Sequence, residues 1–141
     1  MKNVLALLIL ICFYHAAAFA AITSETLCFT SQKNKRTELA LRKYLDEDLQ
    51  REVGAIARYS ASKSLISLAF VSDSTINDSV DYELRWLEIY DEKIIGEYRL
   101  LKPKMATILG AYIRYKSFKT GREVVFNPSG KSNVDCEALL K

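Results

Sequence analysis

Histidine is almost missing from this chain of 141 residues, which has a single one, His15. That scarcity excludes Ser-His-Asp and Cys-His nucleophilic relays and leaves no imidazole set for a zinc shell. Glycine is sparse, with five residues, and no glycine-rich phosphate loop is present. Proline occurs only twice, and no repeat or low-complexity linker divides the chain. A strong charge of one sign is also lacking. Twenty Lys and Arg face seventeen Asp and Glu, for a net charge of +3, which gives no electrostatic case for nucleic acid. The one long apolar run, Val4 to Tyr14, is too short to cross a bilayer as a helix.

That run follows a short basic start and ends in Ala18-Phe19-Ala20, an A-x-A cleavage pattern. Residues 1–20 therefore read as a secretory signal peptide, with the mature chain beginning at Ala21. Its removal takes away His15, Cys12 and Lys2. Cys28 and Cys136 remain, and the expected compartment, periplasmic or secreted, is oxidising, so a disulfide between them is the default. Their spacing is neither a Cys-x-x-Cys redox pair nor a metal-binding pattern.

The mature chain is organised around 82–126. Short runs rich in Tyr, Ile, Val and Trp are separated there by turn residues, as in consecutive antiparallel strands. Tyr82, Leu84, Trp86 and Tyr90 fall on one face of the first run, and Glu83, Arg85, Leu87 and Ile89 on the other. Gly96 inside a run points to a bulge or a close backbone approach. Thr120-Gly121 suits a hairpin turn between 108–118 and 122–126. Upstream, 25–31, 37–45, 53–60 and 64–71 read as strands, although 37–45 is also rich in helix formers. Residues 72–79 read as a polar loop holding an Asn77-Asp78-Ser79 glycosylation triplet, and 134–140 as a last strand or a helical turn. The expected fold is a single all-β domain over 21–141. About eight antiparallel strands form a sandwich or small barrel, closed by Cys28–Cys136.

Carboxylates are the remaining source of catalytic chemistry. Asp46-Glu47-Asp48 and Asp91-Glu92 sit in turns, where charge is normally just solvated, and they lack the spaced ligand pattern of a calcium loop. No enzyme activity, cofactor or metal is expected. The basic residues are better grouped. Tyr112, Arg114 and Lys116 share one side of the 108–126 hairpin, with Lys119 and Arg122 at its turn. Ser129 and Lys131 mark a loop ahead of the last cysteine. Eight tyrosines leave room for a tyrosine-rich binding surface. The Ser129-Gly130 loop loosely resembles the Ser-Gly-x-x-Tyr loop that small periplasmic β-proteins insert into the acidic cleft of lysozyme. The fifth position here is Asn133, so that family is not assigned. The expected role is a non-enzymatic binding protein, inhibitor-like or immunity-like, that meets a partner with an acidic surface. No nucleic acid is expected as a partner, and no membrane after leader removal. The alternative is a β-barrel carrier of a small apolar ligand. A lumen emptied by converging side chains would favour the carrier, and a filled one the partner binder.

Overall fold

The computed structural model describes residues 21–74, 80–103 and 110–141. Residues 1–20, where a leader is expected, residues 75–79 with the Asn77 triplet, and residues 104–109 lie outside the described residues. Eight strands follow in chain order: β1 (Ile22–Ser31), β2 (Glu38–Asp46), β3 (Arg51–Tyr59), β4 (Ile66–Ser74), β5 (Val80–Tyr90), β6 (Lys93–Pro103), β7 (Tyr112–Ser117) and β8 (Glu123–Pro128). Each pairs antiparallel with the next, and β8 returns to β1 through Phe29↔Pro128 and Ser31↔Phe126, which closes an up-and-down barrel. Closure leaves no free sheet edge, and it settles barrel against sandwich. The 37–45 segment is a strand because Leu39 and Leu41 alternate into the core, and this burial overrides the helix propensity of its other residues. Residues 72–74 continue β4 and are not loop: a bulge in the β4–β5 register between Phe70 and Ser72 carries the pairing on to Ser74↔Glu83.

The last segment is the short helix α1 (Asn133–Leu139). Ser132 caps it, its hydroxyl oxygen accepting from the Asp135 N–H at 3.3 Å. Cys136 bonds to Cys28, with Cα atoms 5.5 Å apart, and seals α1 over β1 and β2. Cys28, Ala40, Cys136 and Leu140 form a small cluster outside the barrel wall. Ala40 points outward from β2, and its small side chain leaves room for the helix.

The main core is the lumen. Leu39, Leu41, Leu84, Trp86, Tyr98 and Ile113 are all less than 2% exposed and come from four strands. Gly96 meets both expectations made of it. The β5–β6 register shifts between Glu88 and Ile89, opposite it, and a Cβ there would lie 2.6 Å from the Tyr115 ring. One detail of the expected face changes: Tyr82, Leu84 and Trp86 share an inward face, but Tyr90, the last residue of β5, is 71% exposed beside the turn. The hairpin turn itself, Asp91-Glu92, has both residues at positive φ (49° and 60°), as a two-residue turn between twisted strands requires. The outer wall carries Arg42, Arg58, Arg85, Glu97, Arg99 and Arg114, while the middle of the lumen is an apolar core. A transmembrane barrel has the reverse polarity. Among the described residues, no helix is long and apolar enough to cross a membrane.

One inward carboxyl gives the fold a pH signature. Glu52 is 6% exposed, and its carboxyl is pushed up to about 7 by burial, with Lys43 pulling it down and Glu25 and Asp73 pushing it up. Between its ordinary value of 4.5 and 7, the folded state holds a proton that the unfolded state has released. Stability from this group therefore falls as pH rises through that window. Glu52→Gln removes the slope. In urea unfolding at pH 5 and pH 8, the stability difference between variant and parent grows by about 1–3 kcal/mol in the variant's favour. A difference independent of pH would contradict the assignment.

Candidate functional site

The outer face of β5 to β8 carries the densest charge on the barrel. Alternation turns Glu83 and Arg85 outward on β5, Glu97 and Arg99 on β6, Arg114 and Lys116 on β7, and Glu123 on β8. Register then stacks them across strands: Arg85 lies opposite Arg99, Arg99 opposite Arg114, and Lys116 between Glu97 and Glu123. Like charges directly opposite repel, so the row of three arginines needs compensation. It comes from two carboxylates that the arginines themselves cover. Glu97 is 5% exposed; Arg85 Nη2 donates to its Oε2 at 2.7 Å, and Arg99 Nε donates to its Oε1. Arg85 and Arg99 also reach Glu83 Oε1, at 3.9 and 4.0 Å. Burial pushes the Glu97 carboxyl up, but the hydrogen bonds and charges of Arg85 and Arg99 outweigh it and hold the group below its usual range. Two of the arginines are thereby fixed as a rigid, charged floor.

Arg114 and Lys116 stand beside that floor without such partners. Both are exposed, and among the described residues neither makes an ion pair. With Glu97, Arg99 and Glu123 they line a polar hollow of about 210 Å³. Tyr112, half-buried, precedes them on the same outward side of β7. Lys119 and Arg122 extend the cationic surface to the β7–β8 turn, both exposed. The turn is held by the Gly121 N–H donating to the Ser117 carbonyl at 2.8 Å, with Gly121 at φ 67°, a conformation that glycine adopts freely. Phe118, 47% exposed, projects at the start of the same turn.

The structure thus brings together five of the seven residues singled out in the sequence: Tyr112, Arg114, Lys116, Lys119 and Arg122. It does not bring in Ser129 and Lys131. The Ser129 N–H donates to the Cys28 carbonyl at 3.0 Å, which ties its loop to β1. Lys131 Nζ pairs with Glu38 at 2.7 Å, on the first residue of β2. That loop borders a separate crevice of about 90 Å³ beside the disulfide. Sequence reasoning missed Arg85, Arg99, Glu83 and Glu97. Their signal was present in the alternation Glu83-x-Arg85 and Glu97-x-Arg99, but only the β5–β6–β7 register shows that they form one surface with β7.

The lumen gives the other comparison set up by the sequence. It is filled. The Tyr59 and Tyr98 hydroxyls are 2.8 Å apart, the Tyr98 and Tyr115 rings pack with centroids at 4.6 Å, and Tyr59 packs on Phe126 at 5.9 Å. Burial pushes the Tyr59 phenol up to about 12 and raises Tyr98 further still, so both remain neutral donors and acceptors. Burial also raises the Glu88 carboxyl, against a hydrogen bond from Tyr115. Above this packing, the lumen cavity measures about 110 Å³, well short of the roughly 300–1,000 Å³ of sites that enclose drug-sized ligands. Of the seven described tyrosines, three, Tyr59, Tyr98 and Tyr115, are spent on this interior. No protein-family model, curated protein or solved structure matches this chain.

Proposed function

We propose that this protein is a secreted or periplasmic, non-enzymatic binding protein that meets a protein partner through the outer face of β6–β8. The partner presents an acidic surface. One observation carries the reading: Arg114, Lys116, Lys119 and Arg122 are exposed and unpaired among the described residues, on a wall whose neighbouring arginines are already neutralised. Free cations on a rigid sheet are available to a partner at little ordering cost. Tyr112 and Phe118 flank them and supply apolar contact area of the kind interfaces use. The disulfide suits an oxidising compartment. The filled lumen weighs against the carrier of an apolar ligand.

The test begins with the mature protein as bait in the secreted or periplasmic fraction of its host. With a retained partner in hand, Lys119→Glu combined with Arg122→Glu slows association at low salt by roughly tenfold or more. The effect shrinks as salt rises, because charges at a rim act mainly through steering. Thermal unfolding barely moves, since both side chains are exposed. An unchanged association rate removes this hairpin from the interface.

A further inference from the structure

Six successive strands turn a polar side chain into the lumen at one end of the barrel: Glu25 on β1, Lys43 on β2, Glu52 on β3, Asp73 on β4, Tyr82 on β5 and Lys102 on β6. The registers place them at one level. Glu25 is paired with Lys43, Asp73 with Leu84 next to Tyr82, and Tyr82 with Lys102. A bulge between Tyr44 and Leu45 on the β2–β3 ladder turns Glu52 inward. Beneath this ring lies the lumen cavity of about 110 Å³. Leu27, Leu84, Leu100 and Ala111 form its apolar floor, Glu25, Lys43, Tyr82 and Lys102 stand at its rim, and Glu52 and Asp73 lie outside that lining.

The charges around the ring are not all spent on one another. Glu25 takes Lys43, at 2.8 Å. Lys102 makes no ion pair among the described residues. On the β3–β4 side, Glu52 is more than nine-tenths buried, and its Oε1 has no hydrogen-bond partner. A buried carboxyl oxygen without a partner is costly and calls for one. Asp73 adds a second acid there, close enough for its charge to act on Glu52. The ring therefore offers a cation on β6 and acids on β3 and β4, above a floor that accepts only apolar groups.

We propose that this barrel mouth binds a small zwitterion: a free α-amino acid with a short aliphatic side chain. Its carboxylate meets Lys102 and the Tyr82 hydroxyl, its ammonium faces Glu52 and Asp73, and its side chain enters the cavity over Leu27, Leu84 and Leu100. A ligand with only a carboxylate satisfies Lys102 but faces the acids. A ligand with only an amine does the opposite. A ligand bearing both charges satisfies both sides at once, and the cavity limits its size. The site is inside the barrel and makes no use of the outer β6–β8 face, so it stands or falls independently of the proposed partner.

Three probes separate the possibilities: L-valine, isovalerate, which lacks its amine, and isobutylamine, which lacks its carboxylate. Titration of the mature protein, followed by calorimetry and by NMR shifts of residues around the cavity, gives saturable binding of L-valine. Its affinity is roughly tenfold or more above that of either half-ligand, the worth of one further charge-assisted contact. Lys102→Met leaves isobutylamine binding as it was and brings L-valine down to the same level. Lys102 is only half-buried, so the variant folds, and an unchanged melting temperature checks this. The proposal is overturned by the absence of saturable L-valine binding at millimolar concentration. It is equally overturned by a half-ligand that binds as tightly, or by Lys102→Met leaving L-valine affinity unchanged.

Discussion

Trp86→Ala lowers the stability of the protein by about 3–5 kcal/mol, the range for truncating a large buried aromatic. Trp86 is 0% exposed and sits mid-strand on β5, inside the lumen between Leu84 and Glu88 on the same face. A closed barrel cannot easily shrink around the cavity left behind, because its circumference is set by strand number and stagger. The loss is therefore expected at the upper end of that range, a large part of the roughly 5–15 kcal/mol that holds such a domain together. Trp86→Phe provides the contrast. The indole Nε1 has no hydrogen-bond partner, so the phenyl ring forfeits volume but no bond, and the cost stays near ~1–2 kcal/mol. Urea unfolding of the two variants checks both figures. Equal losses would mean that the lumen is less rigid than its packing implies.

Breaking the disulfide has a comparable effect through a different route. Cys28 and Cys136 are separated by 108 residues, so their bond constrains most of the unfolded chain. Replacing either by serine, or reducing the parent protein, lowers stability by about 2–5 kcal/mol. The loss has a location as well as a size. The seven-residue helix α1 is far too short to persist alone, and it is held by Cys136 and Leu140 against Cys28 and Ala40. Amide exchange should therefore speed up first at α1 and at the Ser129 N–H, while the β5–β6 pairing keeps its protection. An unchanged unfolding midpoint on reduction would show that the bridge adds nothing to the barrel.

These two effects also mark where sequence reasoning reached and where it stopped. The strands were legible because period-two alternation is a local property, visible in Leu39-x-Leu41 as in Leu84-x-Trp86. The disulfide was legible because Cys28 and Cys136 are the two cysteines outside the apolar amino-terminal run. Barrel closure was not, since it depends on Phe29 meeting Pro128 at opposite ends of the chain. The charged face was half legible. Arg114 and Lys116 lie on one strand and share a face by alternation alone, whereas their junction with Arg99 and Glu97 depends on cross-strand register. The remaining departures are local: a single extra residue near Phe70 extends β4 through 72–74, and Tyr90 is exposed because it ends β5 beside the Asp91-Glu92 turn. The ring of Glu25, Glu52 and Lys102 was invisible because a bulge after Tyr44 decides which way Glu52 points.

The central claim is that the outer β6–β8 wall, and not the α1 side, meets the partner. Site-specific photo-cross-linking tests it even while that partner is unidentified. A benzophenone side chain is placed at Lys116, exposed beside Arg114, or at Val134, 78% exposed on α1 near Lys131. Each variant is illuminated in the secreted or periplasmic fraction of the host. The account predicts a discrete covalent adduct from Lys116 that weakens as salt rises, and none from Val134. Adducts from Val134 with none from Lys116 would contradict it and move the interface to the Ser129–Ser132 loop.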